Sequence, residues 1–383
     1  MYVRKQKSMD KLLVFTKNDV LSEKSSVGRK VYNQYRAFSE MFDTYLMSIS
    51  ENKIVLIHKG KTKIVAEFDH WFKAMAAFYK CANECVKKYN IPYVFIRYPM
   101  SDQLFINMLK KMKKTSRIII EIPTYPYDNE IKNYGDTFKN RLAYYVDRLS
   151  RRKLKKNVYK IATYSEDKEI FGIPAFQVYN AVFVDDIKPR EIRETDGAIH
   201  ILGVAEMQQS HGYDRLISGL YEYYKNKNEK EVYLHLAGEG HEKKNYEALV
   251  KKYSLEKYVV FHGYCVGEKL EKLYNNSDLA VETLGLHRQG IDLSSSLKSR
   301  EYLSKGLPMI TSVKIDVIPE DYKYVLKVEA NDNPVDINKV VDYYNSIYVD
   351  EQNDVVNDLR EFAYDNCDIV KRLESVKDKF YEA

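Results

Sequence analysis

S-S-S-L-K-S-R-E-Y-L-S-K-G-L-P, Ser294 to Pro308, reads as a helix with both ends marked. Serines suit the start, Gly306 suits a left-handed stop, and Pro308 leads into the apolar strand M-I-T. The start of such a helix presents unpaired backbone N–H groups, serine hydroxyls and Lys298 together, a reasonable cradle for a diphosphate. Lys298 and Glu301 are three apart and share a helix face. They can divide a nucleotide between them, lysine on phosphate and carboxylate on ribose hydroxyls, or form an ordinary intrahelical ion pair. Spacing alone leaves both open.

Working outward, strands fit at Ile199–Ala205, Val232–Ala237, Tyr258–Phe261, Leu279–Glu282 and Pro308–Thr311, with helices beginning near Gly212, His241, Gly267 and Ser296. That alternation describes a doubly wound domain, in which ligands bind beyond the carboxyl ends of the strands. The turn G-E-G, Gly238 to Gly240, sits at one such end, where glycines allow either a tight turn or a close ligand approach.

The first half alternates in the same way. Strands fit at Leu12–Phe15, within Tyr45–Phe68 with a hairpin at Lys59–Lys61, and at Tyr93–Ile96, Arg117–Ile122, Val158–Thr163 and Ala175–Tyr179. Helices are expected from near Arg29, over Asp69–Lys88 and Asp102–Lys114, and in a long run ending near Lys156. The polar stretch Val184–Gly197, with Pro189, suggests a junction, so the expected domains are 1–190 and 191–383, the last helix being free to cross back. A chain of 383 residues, 45% hydrophobic and 30% charged, has room for two such cores.

No apolar run approaches the roughly 20 residues of a spanning helix, and the start of the chain lacks a secretory pattern, so a cytoplasmic location is expected. Cys81, Cys85, Cys265 and Cys367 are too scattered for a disulfide framework or a four-thiolate zinc site. The net charge of +6 is concentrated in two clusters, Lys110–Arg117 and Arg148–Lys156. These suit an anionic membrane surface, a phosphate-bearing acceptor, or a plain solvated face. No nucleic-acid module accompanies the charge.

Six pieces of the second half resemble family 4 (group 1) glycosyltransferases of the GT-B fold and follow that family's order. They are I-L-G-V-A from Ile201, H-G-Y-D-R-L-I-S-G-L from His211, L-H-L-A-G-E-G from Leu234, V-V-F-H-G-Y from Val259, L-Y-N-N-S-D-L-A-V from Leu273 and S-L-K-S-R-E-Y-L-S-K-G-L-P from Ser296. H-G-Y-D-R-L and L-K-x-R-E-Y-L-x-x-G-L-P are similar to the capsular and exopolysaccharide branch, as are E-I-P-T-Y-P-Y-D-N-E (Glu121–Glu130) and Y-N-A (Tyr179–Ala181). The resemblance implies two Rossmann-like domains facing a cleft. It implies retaining transfer from a nucleotide-diphosphate sugar, UDP-linked, to a saccharide or lipid-linked acceptor in surface polysaccharide synthesis. The two basic clusters make the inner face of the cell membrane the expected place for it.

Position by position, the resemblance puts Glu301 on the donor's ribose, Gly238, Glu239 and Gly240 beside the nucleotide, and His262 and Gly263 near the base. Ser295, Ser296, Leu297 and Lys298 form the phosphate-facing loop. Relatives also carry an arginine after the first strand and a lysine before the next glycine; here Val204 and Ala205 stand at the first place and His211 at the second. Leu293 occupies the position eight before Glu301, where a second glutamate is usual. Arg288, Lys298 and Arg215 are expected to make up the lost charge, Arg215 serving equally well as a surface charge and His211 as a capping or packing residue. Gly28 adds a close-approach loop, and Glu121, Tyr125 and Asp128 are acceptor-side candidates on a loop that Pro123 and Pro126 also make a rigid connector.

No Asp-x-Asp motif occurs, which disfavours the other common transferase fold, where such carboxylates hold a divalent metal on the diphosphate. No metal or cofactor is expected, and the resemblance implies that the leaving phosphate oxygen takes the acceptor's proton. Two rival functions remain in view: a nucleotide-sugar epimerase, and a non-catalytic GT-B partner of another transferase.

Overall fold

The computed structural model describes residues 9–22, 25–123, 125–127, 138–192, 196–348 and 352–382. By contacts the chain separates into two units, Met1–Tyr179 with Ile369–Ala383, and Asn180–Asp368.

In the first unit the uninterrupted apolar run of β1 (Lys11–Phe15) is buried on both faces, as a central parallel strand requires. It pairs in parallel with β2 (Asp43–Ser50) on one side and β5 (Tyr93–Arg97) on the other. β3 (Lys53–His58) and β4 (Lys61–Glu67) continue antiparallel beyond β2. Their turn is tight because Lys59 and Gly60 both take positive φ, at 49° and 72°. β6 (Arg117–Ile122), β7 (Lys160–Thr163) and β9 (Ile173–Gln177) extend the other side in parallel, with the short β8 (Glu169–Ile170) at the edge. The sheet is therefore mixed.

Helices α1 (Ser26–Ser39), α2 (Trp71–Tyr89), α3 (Gln103–Met112) and α4 (Phe138–Ser150) join these strands. The long helix expected to reach Lys156 stops at Ser150, and Arg151–Lys156 winds as a 3-10 helix with Leu154 in the core.

The second unit holds a wholly parallel six-stranded sheet of order β12-β11-β10-β13-β15-β17. Its strands are β10 (Ile199–Val204), β11 (Val232–Ala237), β12 (Val259–Gly263), β13 (Leu279–Val281), β15 (Met309–Thr311) and β17 (Val325–Lys327). A separate small pair joins β14 (Leu293–Ser294) to β16 (Lys314–Ile315). The helices are α5 (Tyr213–Lys225), α6 (Lys243–Lys252), α7 (Glu268–Asn275), α8 (Leu297–Lys305), α9 (Ile337–Ile347) and α10 (Gln352–Asn366).

From β10 the chain builds outward through β11 and β12, then returns to place β13 on the opposite side of β10. The order reverses between β10 and β13, which opens a crevice at their carboxyl ends.

The polar stretch around Pro189 lies inside this second unit. Arg190 is buried and donates to the Gly306 carbonyl at 3.1 Å and the Tyr348 hydroxyl at 3.0 Å. The final helix, α11 (Ile369–Tyr381), belongs to the first unit, where Phe380 is fully buried and packs edge-on against Phe42.

Candidate functional site

Two loops meet at the switch point of the second unit. The segment after β10 is held by the segment after β13, Leu284 N–H donating to the His211 carbonyl (3.0 Å) and Gly285 N–H to that of Ser210 (3.1 Å). Gly212 sits at the contact with φ 64°, and a Cβ there would stand 2.6 Å from the Leu284 carbonyl carbon. Only glycine lets the backbones come this close.

Helix α8 starts beside this junction. Ser296 is its N-cap, accepting from the Ser299 N–H at 3.4 Å, and Gly306 closes the far end at φ 76°. Buried Arg300 anchors the helix through an ion pair with Asp316 and a 3.1 Å bond to the Asn180 carbonyl. Asn180 in turn donates its amide to the Ser295 carbonyl. The helix start is thus fixed from two directions, with its N–H groups and dipole available to an anion.

Lys298 lies at this start and donates to the Glu282 carbonyl at 2.5 Å. Burial lowers its pKa, opposed by the negative charges of Glu282 and Glu301. The two-way reading of Lys298 and Glu301 becomes a three-group arrangement, because Glu282 enters it. Glu301 is half-buried beside the Tyr274 phenol, whose pKa is raised by burial and then by Glu301.

Glu282 was missed in the sequence. It follows β13 directly and is almost wholly buried. One carboxylate oxygen accepts from the hydroxyls of Ser294 (3.0 Å) and Ser296 (2.5 Å), while Oε2 has no hydrogen-bond partner. Its position at the carboxyl end of a central strand was the available signal. It supplies a carboxylate near Lys298, where Leu293 carries none.

The other donor-side residues divide. His211 accepts from the Gln208 N–H through Nδ1 (3.2 Å), and burial followed by the charge of Lys298 lowers its pKa to about 3. It is a neutral cap that adds no positive charge at pH 7. Arg288 grips Asp214 with two bonds (3.0 and 2.6 Å) and Asp332 with a third (2.7 Å). Arg215 donates to the carbonyls of Leu284 (2.6 Å), Glu329 (2.9 Å) and Asn333 (2.9 Å). Both arginines brace loops, with most of their N–H donors engaged by neighbouring carbonyls and side chains.

Gly238 and Gly240 border the loop after β10. A Cβ at Gly238 (φ 134°) would lie 1.8 Å from the Ala205 carbonyl oxygen, and one at Gly240 (φ 151°) 2.3 Å from that of Met207. The close approach is to neighbouring backbone. Glu239 points outward and pairs with Lys243 at 2.8 Å.

His262 belongs to a ladder of imidazoles running diagonally across the sheet. Asp196 contacts His200 at 3.0 Å, His200 contacts His235 at 2.9 Å, and His235 contacts His262 at 3.1 Å. In a run of such contacts each ring donates from one nitrogen and accepts on the other, so the outer nitrogen of His262, Nδ1, is the end of the ladder open to a further partner. Burial and then Lys269 lower the His262 pKa, favouring the neutral ring. Gly263, with φ 66°, follows it at the end of β12.

In the first unit, Gly28 N–H donates to the Ser25 hydroxyl (2.9 Å), and a Cβ at Gly28 would meet the Asp19 carbonyl oxygen at 1.8 Å. Glu121 is buried and bonded to Arg97 (2.7 Å), Gln34 (2.7 Å) and Tyr164 (3.1 Å). Burial raises its pKa, but Arg97 and Lys30 outweigh that and hold it below the ordinary range. It is an ionised carboxylate engaged by three side chains in the first unit. Tyr125 packs edge-on against Phe171. Asp128 lies outside the described residues. Among the described residues no group of three or more His, Cys, Asp or Glu side chains could hold a metal ion.

The fold is that of the GT-B glycosyltransferases, and the switch-point site lies in the part of it formed by the second unit. Residues 184–321 match the family of glycosyl transferases group 1, so the second unit carries a domain of that family. Among solved structures, a glycosyltransferase from Rickettsia africae ESF-5 superposes with a TM-score of 0.64 at 14% identity, covering 98% of this chain and 100% of that one. Sucrose-phosphate synthase from Thermosynechococcus elongatus gives 0.60 at 14%, covering 97% and 99%. Anabaena HepE in complex with UDP and glucose gives 0.54 at 8%, again covering 97% and 99%. No curated protein matches in sequence.

Proposed function

We propose that the protein transfers a sugar from a nucleotide-diphosphate sugar, UDP-linked as in the Anabaena complex, to a saccharide or lipid-linked acceptor with retention of configuration, in surface polysaccharide synthesis at a membrane face. The supporting observation is the start of α8, with Lys298 between Glu282 and Glu301 at the carboxyl ends of β10 and β13. The helix N–H groups and Lys298 hold the diphosphate, and Glu301 accepts from the ribose hydroxyls. Glu282 holds the cap serine and the lysine in place. The outer nitrogen of His262, Nδ1, faces the base.

The acceptor oxygen bonds to the anomeric carbon as the bond from that carbon to the diphosphate oxygen breaks. The acceptor's proton passes to the departing phosphate oxygen. Positive charge at the helix start stabilises the negative charge that develops on the leaving group.

Titration calorimetry against UDP-glucose, UDP-galactose, UDP-N-acetylglucosamine and GDP-mannose, with mass spectrometry of products and NMR of the new anomeric centre, tests this reading. A bound donor and an α-linked product from an α-linked donor are expected. Interconversion of the sugar without transfer identifies an epimerase. Absence of nucleotide binding refutes both.

A further inference from the structure

Helix α4 is mounted with its apolar side outward. Leu142 (54% exposed), Tyr145 (59%), Val146 (38%) and Leu149 (66%) follow the i, i+3, i+4, i+7 pattern and lie within about 100° of arc on the helix. The opposite side buries a carboxylate. Asp147 is fully buried and accepts from the hydroxyls of Tyr98 (2.6 Å) and Tyr127 (2.7 Å) and the Ser101 N–H (2.6 Å), with Arg151 at 3.5 Å. A helix that only covered its own core would be oriented the other way.

Next to the stripe is a cavity of about 470 Å³ lined by Arg148, Arg151, Arg152, Lys155, Phe171 and Gly172. Arg151 is partnered by Asp147 and lies over the Phe171 ring at 4.8 Å. Among the described residues no carboxylate pairs with Arg148, Arg152 or Lys155. The second basic cluster joins the first here, Lys113 donating to the Lys156 carbonyl (2.7 Å) and Lys153 to the Gln103 side chain (2.8 Å).

We infer that α4 and the adjoining cationic cavity form a docking surface for an anionic lipid bilayer. Leu142, Val146 and Leu149 enter the acyl boundary and Tyr145 lies at headgroup level, while Arg148, Arg152 and Lys155 receive lipid phosphates. Charge complementarity selects this occupant, because an apolar stripe beside uncompensated cations matches a surface that is apolar below and anionic above. The inference deepens the membrane part of the functional reading and rests on that part alone. Vesicle binding needs no nucleotide, so its failure would leave donor binding untouched.

The test is sedimentation of the full chain with phosphatidylcholine vesicles and with mixed phosphatidylcholine and phosphatidylglycerol vesicles, at low and high salt. Wild-type protein should pellet with the mixed vesicles at low salt and be partly released at high salt. Leu142→Asp/Leu149→Asp should bind at least about 10-fold more weakly with unchanged circular dichroism and melting. Arg148→Gln/Arg152→Gln, which leaves the stripe intact, should lose the preference for phosphatidylglycerol and provides the reading if the first variant fails to fold. Wild-type protein remaining in the supernatant with mixed vesicles, or either folded variant binding as wild type does, overturns the inference. So does a dimer in solution abolished by the Leu142/Leu149 change without any vesicle binding, which would give the stripe to a second copy of the chain.

Discussion

At the scale of single residues, the donor site depends on one lysine with carboxylates on either side. Lys298 is expected to carry most of the diphosphate charge, since His211 is neutral and Arg288 is held by Asp214 and Asp332. Lys298→Ala should weaken nucleotide-sugar binding about 10- to 100-fold, the value of a charged hydrogen bond of ~1.5–3 kcal/mol. Calorimetry checks this, and unchanged affinity in a folded variant would reduce Lys298 to a tie between α8 and Glu282. His211 adds a pH dependence. Its pKa falls from 6.5 to about 3 on folding, so between those values the unfolded chain takes up a proton that the native imidazole refuses. Stability from this group is present above pH 6.5 and is lost as pH falls from 6.5 toward 3, with a slope of at most about 1.4 kcal/mol per pH unit. Urea titrations of wild type and His211→Gln across pH 4–7.5 should show a shallower acid loss in the variant; parallel curves would reject the assignment. Glu301 and Lys298 were visible in the sequence through their spacing on a marked helix. Glu282 was not, because no local spacing relates it to residues 12 and 14 positions later; only the sheet brings it to Ser294 and Ser296.

At the scale of elements, the strands and helices of the second unit follow the sequence closely because its hydrophobic runs, caps and stops agree. Serine at the start and glycine at the end of α8 are one example. The turn after β11 shows what such local reading leaves open. Its glycines suit ligand approach, yet the structure uses them to seat the loop of Ala205 and Met207. Gly238→Ala should therefore destabilise the second unit by about 3 kcal/mol through overlap and strain. Gly290→Ala, also at positive φ but with open space around the missing Cβ, should cost only about 1 kcal/mol. Thermal melting of the two variants distinguishes packing from strain. In the first unit α4 carries a helical pattern of apolar residues whose direction could not be read, since periodicity identifies a face without saying what it meets. The buried Asp147, satisfied by three groups from two other segments, sets that direction.

At the scale of the whole molecule, the order of residues along the chain and the membership of the two units differ. The last helix completes the first unit, and Arg117 donates to the Phe380 carbonyl at 2.9 Å. Removing residues 369–383 should expose Phe42 and Tyr93, which pack against Phe380 and Tyr381, and should lower the melting of the first unit selectively. Limited proteolysis should then cut first within residues 9–179, whereas equal resistance in full-length and shortened protein would show that the helix is dispensable. The sequence by itself determined the two alternating α/β units, the marked helix at Ser294–Pro308 and the candidates Lys298 and Glu301, because strand runs, caps and helix stops act between residues near in the chain. Tertiary structure alone decided that Glu282 joins them, that Arg288, Arg215 and Glu121 are already engaged, and that α4 faces outward. Those outcomes depend on which charges and backbone groups come within a few ångströms across long separations in the chain, and no local pattern encodes such distances.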